Sequence, residues 1–146
     1  MIHLREITTE EMFEECLCLA VSEEQEEYVD DTTTSLALAW YHYDSCRPFC
    51  IYNNDIMVGF VMLNCDESEK DCEIWQFMID KKYQGNGYGK AALEAVIKYC
   101  KSHHGFEDIY LLMFPDNKAA IKLYEKVGFY LTGERQDDEV VMRLAK

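Results

Sequence analysis

Glu73-Ile74-Trp75-Gln76-Phe77-Met78-Ile79-Asp80 leads directly into Lys81-Lys82-Tyr83-Gln84-Gly85-Asn86-Gly87-Tyr88-Gly89-Lys90, and this stretch decides the fold. Its first half is rich in β-forming residues. Its second half sets three glycines at alternate positions, and from Gly89 to His103 the apolar residues Leu93, Val96, Ile97 and Cys100 recur at helical spacing, with Gly105 as the terminating residue. A strand, a glycine turn and a helix follow in order. Such a turn aims several backbone N–H groups and the positive end of a helix at one point outside the chain, which suits an anion. Glycine is needed because a Cβ would resist positive φ and hold anionic oxygens away from the backbone. Gln84 adds a side-chain donor. A dinucleotide fingerprint needs G-x-G-x-x-G and a distant acidic residue, and a Walker loop needs G-K-[ST], whereas Ala91 follows Lys90 here. Neither applies, and the remaining alternative is a glycine turn without a ligand.

Working outward, residues 3–7 read as a short strand, and Thr8-Thr9-Glu10-Glu11 opens a helix toward Val21. Six acidic residues follow: Glu23, Glu24, Glu26, Glu27, Asp30 and Asp31. Ser35 is placed to cap a helix over 36–43 that ends before Pro48. Residues 49–52 and 56–63 form a hairpin around Asn53-Asn54-Asp55. Beyond the glycine turn, 109–114 is an apolar strand, 117–127 a helix stopped by Gly128, and 129–132 with 140–144 a closing strand pair. The sum is one α+β domain over 1–146, a mixed sheet with helices on both faces.

The 146 residues are 49% hydrophobic, enough for a folded core despite 28 Asp and Glu. A formal charge of -14 argues against nucleic acid as a partner and suits a small cationic one. No apolar run reaches the roughly 20 residues of a membrane span, and Met1 to Glu6 lacks the order of a signal peptide, so no membrane association and a cytoplasmic location are expected. Seven cysteines without a C-x-x-C pair read as reduced thiols. Cys100, His103 and His104 could offer metal ligands from a helix end, but no second pair completes a site, and no metal is expected.

Gln84-Gly85-Asn86-Gly87-Tyr88-Gly89 matches the Q/R-x-x-G-x-G/A motif of the GNAT acetyltransferases, and Asn117-x-x-Ala120-x-x-x-Tyr124-x-x-x-Gly128-Phe129 resembles a later part of the same superfamily. The resemblance spans nearly the whole chain. It implies a mostly antiparallel sheet of about six to seven strands and acetyl-CoA as cosubstrate. In that fold the strands at 73–80 and 109–114 splay around the pantetheine arm, which bonds the backbone of Phe77, Met78 and Ile79. Gln84, Gly85, Asn86, Gly87, Tyr88, Gly89 and Lys90 then hold the pyrophosphate, with Asn117, Ala120 and Tyr124 along the arm. Asn117 alternatively caps the following helix. By the same resemblance Tyr124 is the acid at the thioester sulfur, and Glu73 corresponds by spacing to the general base of the histone-acetylating members, with a water chain as the alternative. More narrowly, Val21 to Val29, Ser35-Leu36, Pro48, Val58-Gly59-Phe60 and Trp75 with Phe77 to Asp80 resemble the bacterial spermine/spermidine acetyltransferases. That implies a polyamine acceptor met by Glu23, Glu24, Gln25, Tyr28 and Trp75, and a homodimer. The alternatives are acetylation of a protein N-terminus, a lysine or an aminoglycoside, or a catalytically silent acyl-CoA-binding module.

Overall fold

The computed structural model describes residues 1–146 apart from His104 and the side chain of His103. In chain order the elements are β1 (Ile2–Arg5), α1 (Glu10–Leu17), a 3-10 turn (Glu23–Gln25), α2 (Thr32–Tyr41), β2 (Cys46–Asn53), β3 (Ile56–Asp66), β4 (Asp71–Ile79), α3 (Tyr88–His103), β5 (Asp108–Met113), α4 (Lys118–Lys126), β6 (Phe129–Gln136) and β7 (Glu139–Leu144). The strands make one seven-stranded sheet in the order β1-β2-β3-β4-β5-β7-β6. Neighbours run antiparallel except β4 and β5, which are parallel.

Helices cover both faces. Leu93 and Val96 of α3 and Tyr124 of α4 pack on Val61, Leu63, Ile74 and Ile109, while Cys16 of α1 and Ala39 of α2 pack on Cys50, Phe60 and Met62. β3 is therefore buried on both sides over residues 57–63, which accounts for its unbroken apolar run in place of alternation. Gly59 is required within it, because a Cβ there would lie 2.3 Å from the Met78 carbonyl oxygen.

Several boundaries differ from the sequence reading. α2 begins at Thr32 because the Asp31 carboxylate, not Ser35, caps it, accepting the Thr34 N–H at 2.7 Å. Pro48 lies inside β2, opposite Met62. It is tolerated there because β1 pairs only with Cys50 to Asn53, leaving that part of β2 as an edge without need of the missing N–H. Cys65 and Cys72 are not thiols: the β3–β4 register sets them directly opposite, with Cα atoms 4.1 Å apart and their sulfurs bonded. Cys100 of α3 is fully buried and faces the core, where burial pushes its thiol up to about 11. The histidines considered with it lie outside the described residues as side chains, and the described residues contain no metal-binding cluster.

Two irregularities in β4 build the site. Met62 pairs with Gln76 and Leu63 with Ile74, so Trp75 is an extra residue, a β-bulge that turns the strand. The parallel pairing of β4 with β5 covers only Asp71–Glu73 against Asp108–Tyr110. Past Glu73 and Tyr110 the strands part, β4 staying with β3 and β5 with β7.

Candidate acyl-CoA cleft

Where β4 and β5 part, a cleft of about 490 Å³ opens through the sheet. Its lining comes from both sheet faces: Ile74, Ile79, Leu123 and Tyr124 from the α3/α4 side, and Val21, Trp75 and Met78 from the other, with Gln25 and Tyr28 added by the segment between α1 and α2. Phe77, Leu111, Leu112 and Met113 also contribute. The backbone edges of two unpaired strand segments therefore face one another across a mainly apolar space.

The glycine turn forms one end of the cleft. Gly85 and Gly87 hold φ of 83° and 80°, the left-handed region that favours glycine, and a Cβ built on either meets nothing within 4 Å. The space in front of them is open. From Gly85 to Lys90 no backbone N–H is taken by an acceptor among the described residues, and the first bond of α3 is Ala91 N–H to Gly87 O at 3.3 Å. Orphan donors, an open concavity and the N-terminus of a 16-residue helix fit a pyrophosphate. Gly85, Gly87, Tyr88, Gly89 and Lys90 line the cleft, whereas Asn86 does not and instead ties the turn, donating from Nδ2 to Tyr83 O at 2.9 Å.

Gln84 departs from its expected use. Its Nε2 donates to Ile79 O at 2.9 Å and to Gln25 Oε1 at 2.9 Å, so both amide hydrogens are engaged within the protein. The donors facing an anion are backbone ones. A basic feature that the sequence reading passed over compensates: Lys126 of α4 lines the cleft with Lys90, and Lys118, Lys122 and Lys126 share one side of α4. Their i, i+4, i+8 spacing was visible in the chain.

Tyr124 reaches the cleft from α4, with its ring edge-on to Phe77 (centroids 6.2 Å apart) and Phe129 (5.5 Å). No described residue hydrogen-bonds its hydroxyl, and burial holds the phenol well above its ordinary pKa. It stays protonated throughout the neutral range. Asn117 and Ala120 line the same wall, and the Asn117 side chain makes no cap bond to α4, leaving its amide for the cleft.

Opposite lies the acidic segment 20–31, a strap across the cleft. Gln25 and Tyr28 line the cleft, but Glu23 and Glu24 are exposed outside it. The strap is fastened to β4 and the segment just after it by three side chains at intervals of four, Gln76, Asp80 and Gln84. The buried Asp80 carboxylate accepts from Ala20 N–H at 3.0 Å, Gln84 pairs with Gln25, and Gln76 exchanges bonds with Asp30 at 2.9 and 3.2 Å. Tyr28 reaches the β5 wall, its ring 6.3 Å from that of Phe114.

Glu73 stands in the last β4–β5 pair, at the vertex of the splay, and is not among the residues that line the cleft. Cys72 and Ile74 on either side face the α3/α4 core, so Glu73 projects to the strap side. Desolvation, then Glu139 and Asp71, raise its pKa above the usual carboxylate range.

A parallel strand pair parted around an extended apolar slot, with an orphan-donor turn at one end, is the arrangement that the resemblance implies for an acyl-CoA-dependent acyltransferase. Residues 6–129 match the Acetyltransferase (GNAT) family, and the chain belongs to it. It is 36% identical over 126 residues, 81% of each chain, to a spermine/spermidine N(1)-acetyltransferase of Bacillus subtilis (strain 168). In fold it is similar to spermidine N-acetyltransferase from Vibrio cholerae in complex with CoA and spermine, with TM-score 0.76 and 20% identity, covering 97% of this chain and 92% of that one. PaiA N-acetyltransferase from Thermoplasma acidophilum in complex with coenzyme A aligns over 100% of this chain and 99% of that one, with TM-score 0.70 and 17% identity.

Proposed function

We propose that this acetyltransferase transfers the acetyl group of acetyl-CoA to a terminal primary amine of a polyamine such as spermine or spermidine. The observation that carries the substrate is the similarity at 36% identity, over 81% of each chain, to a spermine/spermidine acetyltransferase. The formal charge of -14 and the acidic strap support it, since both favour a polycation. The glycine turn binds the pyrophosphate through backbone N–H groups, Lys90 and Lys126 assist, and Phe77, Met78 and Ile79 present backbone to the pantetheine arm. The amine nitrogen attacks the thioester carbonyl, the carbon–sulfur bond breaks, and Tyr124 gives its proton to the leaving sulfur. Glu73, directly or through water, removes the ammonium proton, and Gln25, Tyr28 and Trp75 contact the acceptor. Glu23 and Glu24 act at longer range. The chain works as one domain, in the cytoplasm, as a homodimer, without metal, nucleic acid or membrane.

Rates of thiol release across an amine panel test the substrate. Spermine should show a higher kcat/KM than a peptide N-terminus or an aminoglycoside, and its KM should rise with ionic strength while kcat changes less. Equal salt sensitivity for spermine and a simple alkylamine would remove the electrostatic contribution, and absence of turnover with any polyamine would remove the substrate.

Glu73 makes a separate prediction. A base works deprotonated, so a raised pKa places the acid limb of kcat/KM above the ordinary glutamate range, with activity lost as pH falls through it. Glu73→Gln should lower kcat by roughly 10²-fold or more and remove that limb. An unchanged profile would assign the proton to water alone.

A further inference from the structure

We propose that Gln84 is a positioning residue that couples the glycine turn to the strap 20–31, so that the acceptor side of the cleft becomes set when acyl-CoA is bound. The proposal rests on the acyl-CoA reading of the turn. An amide side chain has two hydrogens to donate, and Gln84 commits one to Ile79 O, the last residue of β4, and one to Gln25 Oε1, while its own Oε1 accepts from Gln25 Nε2 at 3.4 Å. A residue at the head of an anion-binding motif thus has its side-chain donors turned away from the anion and toward the opposite wall. The backbone beginning one residue later carries the orphan N–H groups.

Gly85 and Gly87, both at positive φ, leave the peptide planes of the turn free to reorient toward an anion, and Gln84 is bonded directly to the first of them. A shift there is transmitted through a short amide pair to Gln25, which also receives the Ser22 N–H at 3.2 Å and so organises the 3-10 turn of the strap. Elsewhere the strap is anchored outside the glycine turn, at Ala20 by Asp80 and Lys81 just beyond the end of β4, and at Asp30 by Gln76 of β4. Among the described residues the Gln25–Gln84 pair is the side-chain link between strap and glycine turn. Because Gln25 and Tyr28 line the cleft, ordering the strap alters the wall that an acceptor amine meets. Linkage then requires that the amine tighten CoA binding by the same factor as CoA tightens amine binding.

Hydrogen exchange read by mass spectrometry on peptides covering 20–31, with and without saturating CoA, tests the coupling in the full chain. CoA should slow exchange there on the order of tenfold, and this slowing should vanish in Gln25→Ala and in Gln84→Leu, with CoA binding confirmed for each by calorimetry. Gln25→Glu keeps the oxygen that accepts from both Ser22 and Gln84 and should retain most of the effect, which loss of strap packing alone does not predict. No slowing in the unaltered protein, or equal slowing in both uncoupled variants, would overturn the proposal. Spermine titrations with and without CoA supply the second arm: an affinity gain with CoA, lost in Gln25→Ala, supports the coupling, and an equal affinity in both states contradicts it. If spermine bound in neither state, the substrate assignment would fall, and the exchange data would still decide the coupling.

Discussion

Gly87→Val should abolish measurable acetyl-CoA binding while the domain stays folded. Gly87 holds φ of 80° in the turn that carries the orphan N–H groups, and a Cβ there projects into open space at the end of the cleft. Valine fills that space and, being β-branched, resists the left-handed backbone. The strain costs about 1–3 kcal/mol, well within the roughly 5–15 kcal/mol stability of a typical domain. The loss for the ligand is larger. Each hydrogen bond to a charged group contributes about 1.5–3 kcal/mol, so losing two weakens binding by roughly 10²- to 10⁴-fold. Calorimetry with CoA and a thermal melt give the answer together. A folded variant with unaltered CoA affinity would move the pyrophosphate away from this turn.

Tyr124→Phe should lower kcat by roughly 10²-fold or more, with CoA affinity and melting temperature little changed. The phenylalanine ring keeps the edge-on contacts with Phe77 and Phe129, and no hydrogen-bond partner among the described residues is orphaned by removing the hydroxyl. What disappears is a proton that burial keeps on the oxygen throughout the neutral range. A tyrosine serving only as core packing would give wild-type turnover across pH 6 to 9, and steady-state kinetics over that interval separates the two roles.

The features that were legible in the chain are those written in local chemistry. Three alternating glycines between a β-rich run and a 3.6-residue apolar period announce the turn and α3, and the apolar positions of α4 around Ala120 and Tyr124 announce the other wall. What the sequence did not disclose depends on register between distant segments. The Trp75 bulge exists only relative to Met62 and Leu63, and the Cys65–Cys72 pairing only because those strands align residue against residue. Gln84 looked like an anion donor because its partner Gln25 lies 59 residues away in sequence. The acidic run was likewise divided by folding, with Gln25 and Tyr28 turned into the cleft and Glu23 and Glu24 left in solvent. Composition alone gives all of them the same standing.

The most direct test of the proposed reaction is to incubate the protein with acetyl-CoA and spermine, count the free thiol released, and identify the product by mass spectrometry and fragmentation. One thiol per acetylated spermine, with the acetyl group on a terminal nitrogen, is the predicted result. Thiol release without acetylated amine, or an intact thioester with every polyamine offered, would contradict it.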